Sequence, residues 1–164
     1  MIATVLTTLF FWVGVESRDF GPWHLDYGKA LKEVERQDKP LFIVFDKVDS
    51  DLGKAVASDE FLNESVEHAL SADYVRMFVD VESELGRKLA EQFGATEFPR
   101  LVVIDRSADW QVYRKSGKHS ANEVQSLLAR YRRSKITTSG GSTVIESSYF
   151  SPSSSSVTTI QCKT

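Results

Sequence analysis

The sequence predicts an α/β domain with a central mixed sheet of about four strands flanked by helices. Three observations carry this. Leu41-Phe42-Ile43-Val44-Phe45 is apolar at every position, as a central strand covered on both faces must be. Strand-like runs alternate with stretches of helical period through most of the chain. The spacing between runs allows a helix between the early strands but only a short turn between the last two, so parallel and antiparallel pairs are both expected.

Trp23-His24-Leu25 leads into Asp26, an N-cap residue, and Tyr27, Ala30, Leu31 and Val34 follow at i, i+3, i+4, i+7 as an amphipathic helix. Gln37-Asp38-Lys39-Pro40 ends it, because the residue before proline avoids helical backbone. After the strand Leu41 to Phe45, a polar turn precedes a short helix start at Lys54 to Ala57, and Leu62, Val66, Ala69 and Leu70 mark a further helical face. Tyr74 to Asp80 reads as the second strand. Leu85, Leu89 and Phe93 fall at i, i+4, i+8 on a helix ended by Gly94. Phe98-Pro99 introduces the third strand, Leu101 to Asp105. Trp110 to Arg114 alternates large apolar and polar residues, as a strand nearer an edge does. Ser120-Ala121-Asn122-Glu123 is a capping box opening a helix with Val124, Leu127, Leu128 and Tyr131 on its buried stripe.

Both ends differ from this core. Residues 1–17, MIATVLTTLFFWVGVES, carry no charge before Glu16 and are short for a membrane span, which needs about 20 residues. They suit a secretory signal peptide, with an uncleaved anchor as the alternative. From residue 134 to 164, 16 of 31 residues are Ser or Thr, a composition that buries too little apolar surface to offset its ordering entropy. A disordered tail is expected there. The predicted organisation is thus 1–17 leader, 18–133 folded domain, 134–164 tail.

Composition narrows function. A net charge of −3 and a pI near 5.6 offer no electrostatic case for nucleic acid, or for a membrane surface apart from the leader. Cys162 is the only cysteine, so no internal disulfide or C-x-x-C pair exists. His24, His68 and His119 lie far apart, and no metal or cofactor is expected. Asp49, Asp51 and Glu60 fall at positions 1, 3 and 12 of a calcium-loop count, but Lys54 stands where that loop needs glycine. A solvated, capped turn suits Asp46 to Asp51 better. Asn63-Glu64-Ser65 matches the glycosylation pattern, and a helical setting makes the match one of chance.

The stretch from Trp23 to about Arg133 resembles the thioredoxin-like proteins, in particular small secreted bacterial ones and the C-terminal domain of the membrane disulfide reductases. The residues carrying the resemblance are Trp23, Asp26-Tyr27, Ala30-Leu31, Lys39-Pro40 with its strand, Phe61, Val66, Leu70, Val79-Asp80, Leu89, Phe93-Gly94 and Phe98-Pro99. In the family's frame the two redox cysteines fall on Ser50 and Gly53. The tryptophan before them falls on Asp49, and a buried acid that some members carry falls on Val44. The resemblance places a cis-proline at Pro99, facing the turn, with Phe98 in a position that offers backbone to an extended substrate chain. Phe98 is bulkier than the family's usual residue there, and either fills the groove or grips something in it. A serine hydroxyl and a glycine hydrogen cannot perform dithiol exchange. The resemblance therefore implies a redox-inactive, exported domain, periplasmic or extracellular. It would bind a protein or peptide partner at a vestigial groove of Asp49, Ser50, Asp51, Gly53, Phe98 and Pro99, with no catalytic residue. The alternative is a thiol–disulfide enzyme with a non-standard site using Cys162 or an outside thiol.

Overall fold

A computed structural model describes residues 20–58, 61–139 and 142–146. The leader lies outside these residues, as do Cys162 and the last part of the expected tail.

The elements appear in the expected order. Asp26 caps helix α1 (Tyr27–Gln37), its carboxylate accepting from the Lys29 amide at 2.8 Å. Strand β1 (Leu41–Asp46) is buried throughout. Helices α2 (Asp51–Ala57) and α3 (Glu64–Asp73) lead to β2 (Val75–Asp80), which pairs parallel with β1 from Leu41↔Val75 to Asp46↔Asp80. Helix α4 (Glu84–Gln92) leads to β3 (Arg100–Ile104), antiparallel to β1, and β4 (Gln111–Ser116) closes the sheet antiparallel to β3. The sheet order is β2-β1-β3-β4. Helix α5 (Ala121–Tyr131) opens with the Ser120–Glu123 capping box, both reciprocal bonds formed.

Alternation along the strands splits the core in two. Phe42, Val44, Phe78, Leu101 and Val103 pack against α2, α3 and α5 on one face. Leu41, Ile43, Phe45, Met77 and Val102 pack against α1 and α4 on the other. The outer edge of β2 is covered by the entering chain: the His24 amide donates to the Arg76 carbonyl at 2.8 Å, and the Phe78 amide to the His24 carbonyl at 2.9 Å.

Leu62, expected on one helical face with Val66, precedes the Asn63 cap of α3 and has a positive φ of 62°. Two further expectations need correction. The domain does not stop at residue 133, because Ser134 and Ile136 are buried and Lys135–Ser139 (β5) pairs antiparallel with Ser142–Glu146 (β6). The physical reason is Asp105. Its fully buried carboxylate accepts from the Ile136 amide at 2.9 Å, the Ser107 hydroxyl at 2.8 Å and the Trp110 amide at 3.2 Å, so the start of the supposed tail completes a buried acid's bonding. The second correction concerns Leu85, expected on the buried stripe of α4. It is 79% exposed, and the inward residues are Gly86, Ala90 and Phe93.

Candidate functional site

The expected groove is built where β1 ends. Asp46, the last residue of β1, is buried, and its carboxylate accepts from the Lys47 amide at 2.8 Å and the Ser50 hydroxyl at 2.7 Å. Ser50 is the N-cap of α2, its Oγ accepting from the Gly53 amide at 2.9 Å. The Ser50 hydroxyl is thus used twice, as donor to Asp46 and as acceptor from Gly53. Such a cap satisfies one of the amides that a helix start leaves without a backbone partner.

Gly53 is buried, and the space there excludes any side chain. A Cβ would collide with the Lys47 carbonyl oxygen and lie 2.7 Å from that of Val48. Both obstacles are backbone atoms, which cannot rotate aside. Asp49 and Asp51 flank Ser50 as exposed residues.

Pro99 reaches the same end of the sheet through β3. Because β3 runs antiparallel to β1 with Arg100 opposite Phe45, Phe98 and Pro99 approach the strand end from which the Asp46–Gly53 turn departs. The Phe98–Pro99 peptide is cis. Phe98 is 37% exposed. Behind it, Arg100 is buried and donates to the Gly94 carbonyl at 2.9 Å, and burial, reinforced by Arg114, pushes its pKa down. The six sequence-predicted residues therefore lie at one end of the sheet, four at the turn and first turn of α2 after β1 and two in the loop before β3.

The structure also shows a relation that the sequence reading missed. The turn after β2 repeats the turn after β1: Val48-Asp49-Ser50-Asp51-Leu52-Gly53-Lys54 matches Val81-Glu82-Ser83-Glu84-Leu85-Gly86-Arg87. Ser83 caps α4 as Ser50 caps α2, accepting from the Gly86 amide at 3.0 Å. Gly86 is equally confined: a Cβ there would collide with the Asp80 carbonyl oxygen and lie 2.8 Å from Ser83 Oγ. Lys47 and Glu82 pair at 3.2 Å and tie the two loops together. A self-comparison of the sequence reveals this repeat.

Among the described residues no group of His, Cys, Asp and Glu is arranged to hold a metal ion, and no helix is long and apolar enough to cross a membrane.

No protein-family profile matches the chain, and no curated protein does. Solved structures do. A candidate disulphide-isomerase from Bacteroides thetaiotaomicron aligns with a TM-score of 0.52 at 27% identity, over 63% of this chain and 86% of that one. A thioredoxin from Thermus thermophilus aligns with a TM-score of 0.54 at 19% identity, over 66% of this chain and 85% of that one. A mutant thioredoxin from Halobacterium salinarum gives 0.52 at 18% identity, over 70% and 93%. The chain has the thioredoxin-like fold.

Proposed function

We propose that this thioredoxin-like domain is a redox-inactive binding module rather than a thiol–disulfide enzyme. The observation carrying the reading is the Ser50–Gly53 pair. Thiol exchange needs a thiolate to attack a disulfide and a second thiol to release the mixed disulfide. Here the first position is a hydroxyl engaged as a helix cap, and the second has no room for a side chain. The same scaffold can host functions other than thiol exchange, so the fold does not oppose this reading. A partner would be a protein or peptide meeting Phe98, Pro99 and the Asp49–Asp51 turn. Export to the periplasm or the extracellular space is part of the proposal, supported by the uncharged apolar stretch before Glu16.

The test is reduction of a disulfide substrate with dithiothreitol as donor. The expected rate is the uncatalysed one. Turnover that survives Cys162→Ser would sink the proposal, and turnover abolished by that substitution would favour the enzyme alternative. Export is checked by mass spectrometry of the native protein: an N-terminus near Arg18 is expected, and an intact Met1 in a cytosolic fraction refutes it.

A further inference from the structure

We propose that the crevice at the carboxyl ends of β1 and β2 is a docking groove for a cationic amphipathic segment of another protein. The inference rests on the binding-module reading and adds a second surface, where the loops after β1 and β2 meet the chain entering α1, together with the chemistry of its occupant.

The topology opens this crevice. Helix α2 leaves β1 toward one face of the sheet and α4 leaves β2 toward the other, as the division of the core shows. In open α/β sheets ligands commonly sit outside the carboxyl ends of strands where successive connections diverge. Here the space between the paired capping loops and the start of α1 forms a groove of about 1090 Å³.

Its lining is both apolar and acidic. Among the described residues only three large hydrophobic side chains are exposed, and two of them, Leu25 at 55% and Leu85 at 79%, line this one groove. Phe20 and Val48 lie with them. Single exposed leucines need no explanation, but two sharing a concave surface mark an interaction site. Asp26, Asp49, Asp80, Glu82 and Glu84 also line the groove, against Lys88 as its one cation. Local bonds hold several of these carboxylates in place: Asp26 caps α1, Glu84 pairs with Lys88 at 2.8 Å, and Glu82 pairs with Lys47. Asp26, Asp80, Glu82 and Glu84 against Lys88 and the neighbouring Lys47 still leave the lining net negative, and this complements a segment carrying Lys or Arg beside leucine-like side chains. The chain's own leader is a poorer occupant, because its side chains before Glu16 are uncharged and offer no Lys or Arg to this rim.

The probe is a synthetic helix-forming peptide with a Leu face and a Lys face, titrated calorimetrically into the full-length protein, with a Leu/Glu peptide of the same pattern as control. Binding of the Leu/Lys peptide alone is expected. Leu25→Ser with Leu85→Ser should weaken it at least tenfold, and both sites are exposed enough to leave folding intact. Glu82→Gln with Glu84→Gln should weaken it about threefold or more and flatten its salt dependence. Glu35→Gln with Asp109→Asn removes the same charge outside the groove and should change affinity less than twofold. Equal binding by all variants, or by the Leu/Glu peptide, overturns the proposal. Radical footprinting of Leu85 adds a second reading: free labelling alone and protection with peptide are expected. Protection in the protein alone would mean that its own chain fills the groove, and also overturns it. Failure here leaves the redox-inactive reading standing, while disulfide turnover would remove that reading without touching peptide binding.

Discussion

Gly53 is a residue whose substitution separates two opposing effects of known sign. Helical propensity favours Gly53→Ala, since replacing glycine inside a helix gains roughly 0.5–1 kcal/mol, partly by restricting the unfolded chain. Packing opposes it. The new Cβ would meet the Lys47 and Val48 carbonyl oxygens, so either β1's exit turn or the first turn of α2 must move. Overpacking of this kind costs about 1–3 kcal/mol, and rigid backbone obstacles put Gly53 at the upper end of that range. The net expectation is a loss of about 1–2.5 kcal/mol, the difference of those two terms. Gly86→Ala should behave alike, because it meets Asp80 in the same way. Gly28→Ala is the internal control. It sits in the first turn of α1, where a Cβ would have only ordinary contact with Asp26 Oδ1 at 3.4 Å, so it should stabilise by about 0.5 kcal/mol.

Urea unfolding at constant m-value measures all three. For a domain of this size the gap between Gly53→Ala and Gly28→Ala corresponds to roughly 10 °C in Tm, at about 4–8 °C per kcal/mol. Gly53→Ala matching Gly28→Ala would refute the steric argument. It would also remove the claim that this position has no room for a thiol-bearing side chain.

Asp105→Ala should cost about 3–5 kcal/mol, because it strands the Ile136 and Trp110 amides in a buried setting, and hydrogen exchange at Ile136 should accelerate sharply; a loss under about 1 kcal/mol would show that the 134–136 segment is not anchored there. His119 titrates below its ordinary value of 6.5, chiefly through burial and secondly through Lys115, so the unfolded chain takes up this proton first. Its contribution is therefore present above pH 6.5 and lost as pH falls from there through the folded pKa; His119→Gln should flatten the fall in stability below pH 6.5, and an unchanged slope would contradict this. Phe98→Ala should change stability by less than about 1 kcal/mol if the ring grips a partner, whereas a loss above about 2 kcal/mol in thermal unfolding would mean that it fills the loop.

The core was legible because its signals are local and redundant. The all-apolar run at Leu41 to Phe45 marks a central strand, and Asp26, Ser120 and Glu123 mark helix starts by capping chemistry that depends on neighbours three residues away. Leu85 misled because hydropathy scores glycine as uninformative. Here α4 comes so close to the end of β2 that only Gly86 and Ala90 fit inward near its start, which turns Leu85 out. The segment after residue 133 misled because composition averages over position. Gly140-Gly141, set between the β-branched runs Ile136-Thr137-Thr138 and Thr143-Val144-Ile145, is a hairpin signal of its own, and Asp105's need for a third donor is a long-range requirement that no local window contains.

The resemblance sets Gly53 at a redox position, and the two capping turns correspond there. A position that has merely lost a cysteine should keep the space the sulfur occupied, because a void is left when a side chain shrinks and the surroundings relax only in part. Gly53 shows the opposite, with backbone carbonyls closed down upon it. Its local structure instead matches that of Gly86, where the resemblance places no redox residue: serine cap, acidic first turn, and a glycine pressed on the preceding turn. The β1–α2 junction is thus constructed as a structural turn. The acidic first-turn residues, Asp51 in α2 and Glu84 in α4, suit the positive ends of those helices while adding negative charge near the crevice. The two capping turns therefore set acidic groups on short connections carried by a stable sheet, the setting in which binding residues are commonly found.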